Sequence, residues 1–142
     1  MRRIVFAGLL ALSATPSLAQ TPAPQPALHL ACAGVAIYSG ADGHPVSAEG
    51  QTLIELTGST AGRVKLPDIL TPFFHDNTDE GWRPLGGLVV TDSAITGQLS
   101  LNFLNKPTIA IDRVTGHMEV KSGAQPVFGG ECRSYDPAAR TF

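Results

Sequence analysis

The chain has 142 residues, with twelve acidic residues against ten basic ones, a formal charge of −2, 43% hydrophobic residues and two cysteines. That length makes one domain with a single core, not two. The mildly acidic balance leaves no electrostatic footprint for nucleic acid or an anionic lipid surface, and two cysteines with no Cys-x-x-Cys and no suitably spaced histidine give no metal centre to expect.

The N-terminus reads as an export signal. Met1-Arg2-Arg3 is basic, Ile4 to Leu12 is apolar, and Ser17-Leu18-Ala19 is a small-x-small cleavage site. A basic start, a short apolar core and such a site make a secretory leader too short to span a bilayer. Pro16 interrupts the pattern where a core helix would continue. Arg2-Arg3 lacks the rest of a twin-arginine motif, and Cys32 lies too far past the apolar run to be a lipidation site. The expected mature chain therefore begins at Gln20. It keeps eight basic residues against twelve acidic ones, a formal charge of −4. Residues 20–27, QTPAPQPA, alternate proline with small and polar residues. This is an extended tail that can join no core. Residues 28–142 form the expected single domain, and no later stretch is apolar enough to cross a membrane as a helix.

From Leu28 the chain reads as strands. Leu28, Leu30 and Cys32 share one face, and Val35 and Ile37 continue the apolar face past an expected kink at Gly34. Residues 39–50 are rich in Gly, Asp, Pro and Ser and read as a loop around Asp42-Gly43. Strands are expected at 51–56 and 63–66. Residues 67–84 show neither helical nor strand period. Strands resume at 85–91, after which Asp92-Ser93 turns the chain. Residues 94–103 alternate most cleanly: Ile95, Gly97, Leu99, Leu101 and Phe103 face one way, and Thr96, Gln98, Ser100 and Asn102 the other. Further strands are expected at 108–113, 117–121 and 127–135, separated by Thr115-Gly116 and by a turn at 122–125.

About eight short strands with tight links and no helix point to an all-β antiparallel meander. A small barrel-like fold is preferred, with a two-sheet sandwich as the alternative. An exported chain whose two cysteines flank the patterned region is expected to carry one structural disulfide, Cys32–Cys132. A bridge between the first and last strands favours a sheet that curls back on itself.

Two stretches carry the candidate chemistry. In the irregular segment, Phe73, Phe74 and Trp82 are large aromatics flanking His75, Asp76, Asp79 and Glu80. A patternless segment this long in a small domain is commonly functional. Its aromatics plug one end of the barrel or form an interaction surface, and Phe73, Phe74, His75 and Trp82 are the candidate interaction residues. The carboxylates match no calcium-loop pattern. In the second stretch, Asp112 faces outward by strand parity and is expected to brace the Thr115-Gly116 turn. Arg113 shares the side of Ile109 and Ile111. It is either a buried cation paired with Glu131 or Asp92, or a charge at the rim.

Three short motifs support a family resemblance. They are Leu30-Ala31-Cys32-Ala33-Gly34, Ile111-Asp112-Arg113-Val114-Thr115-Gly116 and Phe128-Gly129-Gly130-Glu131-Cys132. Across residues 28–135 the chain resembles small uncharacterised secreted proteins of Gram-negative bacteria. The resemblance implies a periplasmic β-domain and no particular activity.

No nucleophile elbow, zinc-protease helix motif or phosphate-cradling glycine loop is present in the sequence. The function expected is a non-catalytic periplasmic binding or envelope-associated module, with no catalytic residues, cofactor or metal. The alternatives are a lipocalin-like carrier of a small apolar ligand, and a hydrolase or metal enzyme centred on residues 67–84. The expected partner is accordingly an envelope protein or a small apolar ligand.

Overall fold

The computed structural model of the protein describes residues 27–70, 79–100 and 106–139. The leader, residues 20–26 of the tail, Phe73, Phe74, His75 and Asp76, and Leu101 and Phe103, lie outside the described residues. Eight strands follow in order: β1 (Ala27–Ser39), β2 (Pro45–Thr57), β3 (Ala61–Lys65), β4 (Trp82–Val90), β5 (Ala94–Leu99), β6 (Thr108–Asp112), β7 (His117–Ser122) and β8 (Gln125–Ser134). Each pairs antiparallel with the next, and β8 returns to β1, so the meander is a closed barrel. The sandwich alternative is thereby set aside. Two single 3-10 turns, Asp68–Leu70 and Asp79–Gly81, are the only helical elements among the described residues.

Period-two alternation builds the core. Ile54, Leu56, Val64, Leu99, Ile109, Met118, Val120 and Phe128 point inward, none more than 2% exposed. Each such side chain contributes about 2 kcal/mol relative to leaving it in water. Closure leaves no free edge where all eight strands pair around the ring, and only the outer ends of β1 and β2 project beyond it.

The two ends differ. One end carries the tight turns at 58–60, 91–93 and 113–116, together with both ends of the strand region. The other carries the β1–β2 turn, the long connection from β3 to β4, the β5–β6 connection and the β7–β8 turn. At this loop end Leu66 and Leu70 are buried. Pro67 packs directly on Gly50, so closely that a Cβ on Gly50 would lie 2.7 Å from the proline Cβ.

Three expectations are corrected. Residues 45–50 are strand, not loop, because each pairs with β1 from Ser39 back to Gly34. β4 starts at Trp82 rather than Leu85, since Trp82, Arg83 and Pro84 pair with β3. Gly34 does not shift the face of β1. Cys32 and Ala36 are buried and Val35 and Ile37 are exposed, at 44% and 40%. The reason is the seam with β8. Cys32 faces Cys132, Gly34 faces Gly130 and Ala36 faces Phe128. A Cβ on Gly34 would lie 2.0 Å from the Gly129 carbonyl oxygen, and one on Gly130 would lie 2.5 Å from that of Ala33. The two backbones come too close for larger inward side chains, and Phe128 fills the space that these small residues leave.

The disulfide Cys32–Cys132 joins directly opposed residues on this seam, 100 positions apart in sequence. Beside it, Thr52 pairs with Cys32 across β1 and β2 and is fully buried. Its Oγ1 has no hydrogen-bond partner among the described residues. A buried hydroxyl left unpaired costs about 1–3 kcal/mol. Thr52→Val keeps the shape and removes the orphan, so it is expected to stabilise the protein by about 1 kcal/mol and raise the melting temperature by about 4 °C. A thermal melt checks this, and an unchanged or lower value would show that the hydroxyl is satisfied.

Candidate functional site

Of the four candidate interaction residues, only Trp82 is among the described ones. It does not plug the barrel. It opens β4 opposite Lys65 on the outer wall, and the Arg63 guanidinium lies over its ring at 4.6 Å. The described part of the loop end is filled by Leu66 and Leu70 instead.

Around Trp82 runs a polar row across the outer wall. His29 on β1 faces Glu55 on β2, and Glu55 faces Arg63 on β3. Arg63 Nε donates to Glu55 Oε2 at 2.5 Å. His29 Nδ1 lies 3.6 Å from Glu55 Oε1, beyond hydrogen-bond length. Tyr135 sets its ring edge-on to His29 at 5.7 Å, and its backbone N–H donates to the His29 carbonyl. Burial, then the Glu55 charge, holds the Tyr135 phenol above its ordinary value. The row ties the chain leaving β8 to the wall of the first three strands. Among the described residues it brings no serine, threonine or cysteine nucleophile to the histidine.

Arg83 is the residue that sequence reading missed. It points inward beside Val64 and is 8% exposed. It is engaged there, as a buried cation must be. Parity with Leu85 is the signal that reveals it, since residues two apart in a strand share a face.

At the short-turn end the three motifs converge. Asp112 Oδ1 accepts from the Val114 and Thr115 N–H groups at 2.8 and 3.0 Å. These backbone bonds, Thr115 first, hold its carboxyl below the ordinary carboxylate value. Gly116 takes φ 82°, the left-handed region that glycine enters without strain. Its N–H donates to the Asp112 carbonyl, and its own carbonyl accepts from the Cys132 N–H, each at 2.8 Å. Arg113 is a rim charge, not a buried cation. Its N–H donates to the Ser93 carbonyl at 2.9 Å, and its Nη1 donates to the Thr91 carbonyl. One line of bonds thus runs from the 91–93 turn through Arg113, Gly116 and Cys132 to Cys32. Asp112, Arg113, Gly116 and Cys132 border a shallow opening of about 250 Å³.

Because the Asp112 carboxyl titrates lower folded than unfolded, it stabilises the protein above the ordinary carboxylate pKa. That stability is lost as pH falls through the depressed folded value. Asp112→Ala is therefore expected to lower the melting temperature at pH 7, and the gap to wild type should narrow near pH 2. A gap as wide at pH 2 as at pH 7 would show that the ionised carboxylate is not what braces the turn.

At the loop end the β1–β2 hairpin outruns its neighbours. β1 pairs with β8 only from Leu30 to Ala36, and β2 pairs with β3 only from Leu53 to Thr57. Beyond those limits both strands lack an outer partner strand among the described residues. Val35, Ile37 and Val46 are exposed on or beside this arm. No group of three or more metal-ligating side chains occurs among the described residues. No protein-family model, curated protein or solved structure matches the chain.

Proposed function

We propose that the protein is an exported, non-catalytic binding module that works in the periplasm or outside the cell through contacts with envelope protein or cell wall. The overhanging β1–β2 arm carries this reading. It offers strand edges and two exposed aliphatic side chains, Ile37 and Val46, with exposed Val35 beside them, on a frame that is otherwise closed and cross-linked. Exposed apolar side chains beside unpaired strand edges are a common basis for recognition by another chain. Export is supported by the basic-apolar leader and agrees with the disulfide. No helix among the described residues is long and apolar enough to cross a membrane.

A carrier of a small apolar ligand needs an open interior. Inward side chains occupy the described barrel, so this reading has less support. The enzyme reading rests on His75 and Asp76, outside the described residues, and on Asp79 and Glu80 of the single turn Asp79–Gly81, where the Glu80 backbone sits at φ 53°.

The test is site-specific photocrosslinking in a Gram-negative host. A crosslinker at Ile37 or Val46 is expected to give a discrete adduct with an envelope component. The same group at Val114, at the opposite end, should give none. Equal adducts at all three positions, or none at the arm, would contradict the proposal.

A further inference from the structure

We infer that the Cys32–Cys132 bridge is a site of thiol–disulfide exchange in the folded protein. A low-molecular-weight thiol enters at Cys132 through the short-turn mouth, Cys32 is the leaving sulfur, and the Thr52 hydroxyl receives it. The inference concerns the bridge, and it stands whether or not the arm has a partner.

A row of four residues gives the direction. Thr52 on β2 faces Cys32 on β1, and Cys32 faces Cys132 on β8. Beyond Cys132 lies Gly116, whose carbonyl accepts from the Cys132 N–H. A thiolate displaces one sulfur from another in line, so it approaches either cysteine from the side away from its mate. At the Cys32 end that approach is shut, because Cys32 and Thr52 are both fully buried. At the other end it is open. Cys132 is half-buried, and with Gly116 it borders the opening of about 250 Å³. Gly116 brings no side chain to that flank. The space holds a small thiol, since one water occupies only about 30 Å³ of liquid.

The orphan hydroxyl gives the second observation. Thr52 Oγ1 is buried and has no hydrogen-bond partner among the described residues. Opposed side chains on one face of an antiparallel pair lie about 5 Å apart. A disulfide sulfur accepts hydrogen bonds weakly, so the hydroxyl gains little while the bridge is closed. An ionised sulfur is a much stronger acceptor. When the bridge opens, charge lands on Cys32 in a buried setting where an unpaired charge is costly, and the Thr52 hydroxyl stands opposite to donate to it.

The step balances with one thiol as co-reactant. The thiol loses its proton and attacks Cys132 Sγ. A new sulfur–sulfur bond forms there as the bond to Cys32 breaks, and the electron pair of that bond leaves with Cys32 Sγ. Cys32 then takes up one proton. The incoming sulfur is oxidised and Cys32 is reduced. No charge on the thiol other than that of its sulfur is required. The ladder between β1 and β8 from Leu30 to Ala36 still joins the two strands while the bridge is open.

The probe is 2-mercaptoethanol, added in excess to the oxidised mature protein below its urea transition. Samples are quenched in acid and digested with pepsin, which stops further exchange before mass mapping. Mixed disulfide on Cys132 is expected to exceed that on Cys32 about tenfold, because only one sulfur is accessible. The rate should be proportional to thiol and flat in urea across that range. Thr52→Val should slow it about threefold by making Cys32 a poorer leaving group, and Thr52→Ser, which keeps the hydroxyl, should not. No mixed disulfide below the transition, equal adduct on the two cysteines, or a rate that climbs with urea throughout would overturn the site, since the last two mark exchange in the unfolded chain. Thr52→Val at the wild-type rate would overturn the role of the hydroxyl.

Discussion

Cys132→Ser is expected to cost about 4–5 kcal/mol of stability and to lower the melting temperature by more than about 15 °C. The size follows from the loop that the bridge closes. Cys32 and Cys132 are 100 positions apart, which is nearly the whole strand region. In the chain-entropy model, cross-linking so long a loop removes much of the freedom of the unfolded chain. A small domain has only about 5–15 kcal/mol in total, so the loss is a large share of it. Serine in the wall also leaves a hydroxyl beside the buried Cys32, which adds a smaller penalty. Reduced wild type separates the two effects, because it loses the cross-link and keeps both sulfurs. Denaturant unfolding with and without a reductant measures the difference. Equal midpoints for the oxidised and reduced protein would show that the bridge does not carry the stability assigned to it.

Gly130→Ala is expected to be nearly as damaging, at about 3 kcal/mol, the upper end for an overpacked site. The added methyl would meet the Ala33 carbonyl oxygen at 2.5 Å, and the obstacle is backbone, which cannot rotate away. Gly34→Ala meets the Gly129 carbonyl oxygen at 2.0 Å and should behave the same way. The strands must part at the seam, and the ladder bonds on either side of the disulfide stretch with them. Gly129→Ala is the internal control. It sits next in sequence, faces outward, and a Cβ there meets nothing within 4 Å. It should change stability by less than about 0.5 kcal/mol. The contrast between Gly129 and Gly130 is therefore the observable, read from urea midpoints. If the two alanine variants unfold together, the seam is looser than described.

The same seam explains what could and could not be read from the sequence. Alternation through Ile95, Gly97 and Leu99 and through Ile109 and Ile111 was legible because one face is core and the other is water. The cysteines were legible by number and position, and Asp112 by its turn. The inward face of β1 was not. Val35 and Ile37 look like core residues and Gly34 and Ala36 do not. That choice is set by the approach of β8, some 95 residues away, and by the bulk of Phe128. The start of β2 was hidden for a related reason. Its Gly, Pro and Ser content reads as loop, and only pairing with β1 makes it strand. Arg83 is hidden because its stretch shows no period before Leu85, three residues after β4 begins at Trp82, which leaves it out of the inward parity it shares with Leu85. In the candidate interaction loop, Trp82 takes its place from Arg63 on a neighbouring strand, a contact that no local pattern encodes.

The three motifs also acquire a physical meaning. Leu30, Cys32 and Gly34 lie on one inward row of β1, and Phe128, Gly130 and Cys132 form the row facing it. The Ile111–Gly116 turn hydrogen-bonds to Cys132 from the third side. All three serve the closure of one seam and the rim above it. The surface left for recognition is then the overhanging arm at one end, and the shallow mouth at the other borders the bridge.

The central claim is that this is a barrel covalently closed between its first and last strands, and the function proposed for it requires export. The most direct measurement is the intact mass of protein recovered from the periplasm of a Gram-negative host, alkylated without reduction and then mapped by proteolysis. The account predicts a chain beginning at Gln20, lighter by the hydrogens lost on oxidation, with no alkylated thiol and with the peptides of Cys32 and Cys132 joined. Retention of residues 1–19, or two alkylated cysteines in the folded protein, would contradict it.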